Sequence, residues 1–468
     1  KVIDARWGKP ISLTGPNGLP TSWQYDSFGR KIREDRADGT WTTIDYLLCD
    51  AACPDSRSVF NIKAQTSGSA PVVTYFDMLG REVMNTRVGL YGRTIYKKTE
   101  YNTLGHVARV SRPDFNNPPV NWHSYEYDIL GRTLKETFPD NTYTTIDYDG
   151  LTTVTTNAKF QTVTRIKNSQ GKLAQVIDDS SNSNTYQYDP FGNLLTVKDA
   201  MLNQTVMTYD RRGRKTTMSD PDMGYWQYWY DASGKLRKQV DAKGQVVTMV
   251  YDKLGRRVSR TEPEGTSTWS YDTAPKGIGK LAQETAPDGF TRSYTYDAVG
   301  RPDTTTTQVG SNVFTMQTAY DLYSRVETTT WPTGFAIKNV YDTYGNRTEI
   351  RNAANDFQYW LANTHDAEGR ITMETLGNNI NTRRIYDELS GRPVEIVSNS
   401  AIASIQDLRD TNVALGNLES RQDNLQRLLE TFTYDNLNRL ESATSAGVGT
   451  KSYQYDSLGN ITYKSDVG

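Results

Sequence analysis

Histidine and cysteine are nearly missing from this chain, which has three of the first and two of the second in 468 residues. His106, His123 and His365 lie far apart and none has a Ser or Cys motif beside it, so a nucleophilic triad has no base to build on. A pH trigger based on histidine has equally little material. Cys49 and Cys53 fall in the irregular stretch Leu-Leu-Cys-Asp-Ala-Ala-Cys-Pro. They either close a small disulfide loop, which suits an oxidising compartment, or stand as two thiols. No histidine lies near them in sequence, and structural zinc usually takes four ligands, so they are not read as a metal site.

Charge of one sign is lacking too: 53 basic residues face 55 acidic ones, for a net charge of −2, and the arginines are spread along the chain. Without a basic patch, nucleic acid is not an expected partner. No window approaches the roughly 18 apolar residues of a membrane-spanning helix, and Lys-Val-Ile-Asp-Ala at the start has neither an initiator Met nor a signal-peptide pattern. Hydrophobic residues make up only 36% of the chain and mean hydropathy is −0.68, too little for one large core. Tyrosine, with 30 copies against 12 Phe, is the aromatic of choice. A ring with a polar tip suits a sheet that is wetted on its faces.

What the chain has is one phrase repeated: Tyr, Asp, two variable residues, Gly, then usually Arg or Asn. Full copies begin at Tyr25-Asp26…Gly29, Tyr127-Asp128…Gly131, Tyr188-Asp189…Gly192, Tyr209-Asp210…Gly213, Tyr230-Asp231…Gly234, Tyr251-Asp252…Gly255, Tyr296-Asp297…Gly300, Tyr341-Asp342…Gly345 and Tyr455-Asp456…Gly459. Weaker copies follow the register at Tyr46, Phe76, Tyr101, Tyr148, Lys167, Tyr271, Tyr320, His365, Tyr386, Asn412 and Tyr434. Nine of the nineteen intervals are 21 residues and the rest run from 19 to 30. Fixed strands with elastic loops produce that distribution, and repeats of this kind bury their apolar surface against their neighbours. The expectation is therefore one continuous repeat array over 1–468, with no internal boundary. The missing Met, and a last copy only nine residues from the end, predict that this array is a piece of a longer chain.

Asp-x-x-Gly reads as a turn. Asp at the first position accepts from backbone N–H groups further on, and Gly at the fourth enters the left-handed region of a G1 bulge without a Cβ penalty. A second turn lies about midway between tips, as in Pro139-Asp140-Asn141, Pro263-Glu264-Gly265, Pro287-Asp288-Gly289, Pro332-Thr333-Gly334 and Asp241 to Gly244. Between turns, Thr205 to Tyr209 and Val246 to Tyr251 are rich in Thr, Val and Tyr, which favours strands. The segment from Ala401 to Glu430, with Leu408, Leu415, Leu418, Leu425, Leu428 and Leu429, admits two readings: a short amphipathic helix, or a degenerate tip at Asn412 to Leu418. About forty strands at ~4.8 Å would give ~190 Å of curved, all-β sheet, enough for about one turn of a wide, hollow spiral wall.

YDSFGRKIRE, YDILGRTLKE, YDPFGNLLTV and YDKLGRRVSR resemble the RHS/YD-repeat family, and the likeness runs over essentially the whole chain. The resemblance implies a β-strand spiral forming an egg-like cocoon, as in bacterial Rhs toxins, the B and C components of insecticidal toxin complexes, and teneurins. Asp-Pro-Asp-Met-Gly at 220–224 and the ending from Ser457 look most like the bacterial secreted branch. There the cocoon encloses a variable C-terminal toxic domain and a core segment after the repeats cleaves the chain. No stretch here resembles the DPxGxxDG-type core, so no autoproteolysis or toxic activity attaches to these residues.

The expected role is thus structural and not enzymatic, with no catalytic residue, metal or cofactor. The nine tip aspartates are turn formers and not glycosidase-type acids, and the dense Asp-x-Asp pattern of calcium repeats is missing. Expected partners are the rest of its own polypeptide, including an enclosed toxic domain, and a delivery apparatus or toxin-complex partner, at a secreted or cell-surface location. The alternative is an adhesion or carbohydrate-binding module, for which Tyr225-Trp226-Gln227-Tyr228-Trp229-Tyr230 and Tyr359-Trp360 would supply stacking rings for glycans.

Overall fold

The computed structural model describes residues 1–467. They form 42 β-strands and one short 3-10 turn, Leu90–Gly92, with no α-helix among the described residues. Apart from Val2–Ile3 and Ile461–Lys464, strands have five to nine residues. The ladders are antiparallel and join strands that follow one another in the chain, as in Pro20–Tyr25 with Lys31–Arg36 and Val246–Tyr251 with Arg257–Glu262. This is the all-β hairpin array that the Thr-, Val- and Tyr-rich segments and their turns dictate.

Each of the nine full tips carries a register shift at its tyrosine. In one such hairpin Gln24 faces Arg33 but Tyr25 faces Lys31, with the shift between them. Asn412 likewise faces Leu418 across a tip with Gly416 at φ 94°. The segment 401–430 is therefore strand, Ser404–Asn412 and Leu418–Asp423 joined by a degenerate tip and followed by the start of Leu428–Tyr434. The helical alternative fails there because its leucines are shared between facing strands instead of gathered on one face.

The chain divides into two compact units, each assembled from segments distant in sequence. Unit 1 comprises Lys1–His123, Thr268–Arg384 and Ser398–Ala403; unit 2 comprises Ser124–Ser267, Ile385–Val397 and Ser404–Gly468. Buried apolar side chains are few. In unit 1 they include Val83, Met84, Leu90, Ile95, Ala282, Ala362 and Ala367, and in unit 2 Met207 and Met249. Much of the remaining cohesion is polar, with facing Thr and Ser hydroxyls paired as in Thr42–Thr66 at 2.9 Å and Thr433–Ser442 at 2.8 Å.

Within unit 1 the tips of the later segment pack against the midway turns of the earlier one. Asn17 accepts from the Ile278 N–H at 2.8 Å, the Ala70 N–H donates to the Tyr344 carbonyl at 2.9 Å, and the Tyr91 hydroxyl donates to the Ala362 carbonyl at 2.8 Å. Arg112 pairs with Glu368. In unit 2 the Asn438 amide donates to Gln161 Oε1 at 2.8 Å. Such partners are 251 to 286 residues apart in unit 1, with Tyr91–Asp342 and Ser324–Asp38 at the extremes, and 277 apart in unit 2. Within each unit, segments more than 250 residues apart in sequence are thus in contact.

Candidate functional site

The repeated tip is a recurring constellation among the described residues. At Asp26, Asp128, Asp189, Asp210, Asp252, Asp297, Asp342 and Asp456 the Oδ1 oxygen accepts the N–H groups two and four residues on, at 2.8–3.0 Å. At Asp231 it accepts the Lys235 N–H and the Ser233 hydroxyl. The glycine N–H then closes onto the Asp carbonyl at 2.9–3.2 Å. Gly29, Gly131, Gly192, Gly213, Gly234, Gly255, Gly300, Gly345 and Gly459 hold φ between 73° and 92°. Two of the weaker copies fill the same slot with Ser324 at φ 62° and Asn438 at φ 62°.

The residue after glycine closes the tip. Arg30, Arg132, Arg214, Arg256 and Arg301 donate Nε to the second carboxylate oxygen at 2.6–2.7 Å. Asn193, Asn346 and Asn460 donate their amides there at 2.8–3.0 Å. The guanidinium also lies over the tyrosine of the next repeat, with Arg30 4.2 Å from the Tyr46 centroid, Arg132 4.2 Å from Tyr148, Arg325 4.2 Å from Tyr341 and Arg439 4.7 Å from Tyr455. Such stacking contributes about 0.5–1 kcal/mol at an exposed site.

Tyrosine completes the link through its hydroxyl. Tyr25, Tyr230, Tyr251, Tyr296, Tyr341 and Tyr455 each donate to the carbonyl of the residue fifteen positions earlier, at 2.7–2.9 Å. That residue opens the strand leaving the previous tip, so each tyrosine ties its own hairpin to the one before. This inter-repeat bond explains why Tyr outnumbers Phe, a signal the composition carries but does not explain. Tyr251→Phe keeps the ring and removes the bond to Leu236, and is expected to cost about 1 kcal/mol. Faster amide exchange confined to the two adjoining hairpins would show it; unchanged exchange would refute the tether.

The carboxyls of Asp26, Asp128, Asp189, Asp210, Asp231, Asp252, Asp297 and Asp456 are held below the usual range. At Asp26, Asp128, Asp252 and Asp297 burial works to raise the pKa but is outweighed by backbone N–H groups and the adjoining Arg. At Asp189, Asp210, Asp231 and Asp456 the largest influence is the side-chain bond from Asn193, Arg214, Ser233 and Asn460, which lowers it. A depressed folded pKa contributes stability that is complete above the unfolded value of about 3.9 and is lost as pH falls through the folded value. The sheet is therefore expected to loosen below about pH 4 with little change between pH 5 and 8. Circular dichroism across an acid titration checks this, and a main transition near pH 6 would contradict it. Burial lowers the pKa of His365, so that histidine resists charging.

Cys49 and Cys53 are joined by a disulfide, and the Asn61 amide faces both sulfurs at 3.8 and 4.0 Å. Asp55, in the same loop, lies buried between Arg57 at 2.8 Å and Lys98 at 3.0 Å. Nothing in the spacing of Asp55 and Lys98 marks that pair in advance. No cluster of three or more His, Cys, Asp or Glu side chains suited to a metal occurs among the described residues. No helix among them is long and apolar enough to cross a membrane.

A family model described as RHS Repeat matches residues 6–40, 230–267 and 277–313. Among solved structures, a TcdB2-TccC3-Cdc42 crystal structure superposes with a TM-score of 0.82 at 15% identity, covering 99% of this chain and 34% of that one. TcdB2-TccC3 gives 0.79 at 16% identity, covering 99% and 32%. A Photorhabdus luminescens Tc holotoxin pore with a substituted TccC3 gives 0.81 at 16%, covering 99% and 33%. This chain spans about a third of the length of those chains. A search of curated proteins finds no match. RHS repeats are thus matched in three segments, the same tip bonding runs through the copies between them, and the fold is the β-sheet fold of the TcdB2-TccC3 structures.

Proposed function

We propose that the chain is a non-enzymatic wall segment of a secreted toxin shell, one continuous array over 1–468, that encloses a toxic C-terminal cargo until delivery with a toxin-complex partner. The observation that carries this reading is the way the sheet grows in unit 1. Hairpin tips of 276–368 seat on turns of 17–112 through polar bonds and small buried contacts, while few side chains form a packed interior. A sheet extended edge-on in this manner is suited to be a barrier. The likeness in fold to structures named for toxin components supports the same reading. Mass spectrometry of the native polypeptide and its natural fragments tests it. A cleaved C-terminal piece retained with the repeats is the expected result, and a single uncleaved chain ending in an anchor would overturn it.

The adhesion reading rests on the aromatic strand Gly224–Tyr230. Trp226 and Trp229 are three positions apart and face opposite sides, so they do not form one platform. Tyr225 and Trp229 share a side and are 51% and 42% exposed, with Lys238 4.8 Å from the Trp229 ring. If this face binds glycans, Trp229→Ala abolishes glycan-array binding while Trp226→Ala does not. Binding no higher than background removes the reading.

A further inference from the structure

One hairpin of unit 1 is closed without the Asp-x-x-Gly tip. Strands Trp41–Leu48 and Phe60–Thr66 pair as far as Leu48 facing Phe60, and residues 49–59 join them. Apolar burial contributes little to that connection, because Asp50, Ala51 and Ala52 are exposed and Val59 is 40% exposed. The Cys49–Cys53 bridge closes its first half. Backbone bonds run along the rest, from the Cys49 N–H to the Val59 carbonyl at 2.9 Å, from the Ser58 N–H to the Asp55 carbonyl at 3.0 Å and from the Val59 N–H to the Phe76 carbonyl at 2.8 Å.

Asp55 begins as the tip aspartates do, with Oδ1 accepting the N–H two residues on, from Arg57 at 2.9 Å. It then reaches outside its own hairpin. Its Oδ2 takes the Lys98 ammonium at 3.0 Å from strand Thr94–Tyr101. The Asn117 amide donates to the Pro54 carbonyl at 2.9 Å, so both outside partners grip the two residues that follow Cys53. The 49–53 ring therefore sets where residues 54 and 55 meet those partners. On its inner side the bridge is covered by Asn61, which is 8% exposed, and on its outer side lie only the exposed residues 50–52. A small thiol can approach the sulfurs from that side, and accessible bridges are the reducible ones.

We propose that Cys49–Cys53 is a reversible redox latch, which holds the 49–59 connection and its Asp55 contacts to the neighbouring strands when oxidised and releases them when reduced, with the rest of the sheet intact. A dithiol attacks one sulfur, and its second thiol resolves the mixed disulfide. Cys49 and Cys53 are left as two thiols, and the dithiol is oxidised to a cyclic disulfide. The latch is shut in an oxidising compartment and open in a reducing one, and this holds whether or not any cargo is enclosed.

Hydrogen–deuterium exchange of the 468-residue chain with and without dithiothreitol is the test, with alkylation of Cys49 and Cys53 reporting the fraction reduced. The expected result is reduction in the folded chain, with exchange at the Cys49, Arg57, Ser58 and Val59 amides faster by roughly tenfold to thirtyfold, the loop-closure effect of so short a ring. The tips from Asp210 to Arg256 are expected to stay unchanged, and re-oxidation to restore slow exchange. The double variant Cys49→Ser, Cys53→Ser is expected to exchange fast at the same amides and to ignore dithiothreitol. In Asp55→Asn, reduction is expected to accelerate Val59 less than in wild type, since two ties on one connection do not add. A bridge that stays oxidised in the folded chain overturns the proposal, because it is then closed to reductant. Acceleration limited to residues 50–53 overturns it too, since the bridge then holds only its own ring. Acceleration across all of unit 1 overturns it in favour of a general structural cross-link.

Discussion

Gly68→Ala is expected to loosen the seat between residues 66–70 and 323–345 and to destabilise unit 1 by about 3 kcal/mol, combining roughly 1–2 for Ala in the left-handed region with roughly 1–3 for overpacking. Gly68 sits at φ 73°, and its new Cβ would fall inside contact distance of the Tyr323 ring. The ring has little room to retreat, because Arg325 covers it and is itself bonded to the Gly68 carbonyl. Gly345 approaches that same carbonyl, where a Cβ would meet the oxygen at 2.7 Å. Gly334→Ala is the control: φ is 82° but nothing lies within 4 Å, so only the backbone cost of about 1–2 kcal/mol applies. Amide exchange at Ala70, whose N–H bonds the Tyr344 carbonyl at 2.9 Å, reports the seat directly. Equal effects from the two substitutions would show that the close approach of Tyr323 has no energetic weight. Adding Tyr323→Ala to Gly68→Ala should recover part of the loss, since neighbours that clash do not add.

The hairpins were legible because their determinants are local. Asp26 needs only the N–H groups of Phe28 and Arg30 to set its tip, and Gly29 needs only freedom from a Cβ, so a five-residue phrase carries the geometry. The inter-repeat links were half legible. Arg after Gly and Tyr before Asp recur in the sequence, but the hydroxyl that reaches fifteen residues back and the guanidinium that covers the next ring appear only once register is known. Contacts between unit 1 segments were not legible at all. Ser324 donates to Asp38 across 286 residues, and no pattern in either neighbourhood distinguishes that serine from the glycine other tips carry. Those partners are chosen by how soon the sheet comes round, a sum of small twists and bulges over many strands. The same reasoning explains the low mean hydropathy. Stability is distributed over repeated neutral and ionic bonds of about 1 kcal/mol each, so no stretch of sequence has to supply a large apolar core.

Asp55 departs from that distributed pattern, and Asp55→Asn is expected to be the second large effect. Its side chain is 1% exposed, while Lys98 is 17% and Arg57 39% exposed. Burial works to raise its pKa, but the Arg57 side chain and N–H and the Lys98 ammonium outweigh it and hold the carboxyl far below the usual range. Asn keeps the shape and a carbonyl acceptor but removes the charge, which strands the Lys98 ammonium at a buried site and leaves Arg57 with only Glu100 at 4.0 Å. Breaking a buried pair in this way costs about 3–5 kcal/mol, and the partial exposure of Arg57 places the expectation at about 3 kcal/mol, at the low end of that range. The sign with pH follows from the depressed folded pKa: the contribution is complete above the unfolded value of about 3.9 and disappears as acid protonates the folded carboxyl. Wild type and Asp55→Asn should therefore differ most at neutral pH and converge in strong acid, whereas a packing defect would persist at every pH. Thermal unfolding of both proteins from neutral to acidic pH decides between these. Lys98→Met in the Asp55→Asn background is expected to restore stability, because it removes the stranded ammonium while keeping the apolar stem against the sheet. A double variant weaker than either single one would show that Lys98 holds this loop by packing and not by charge.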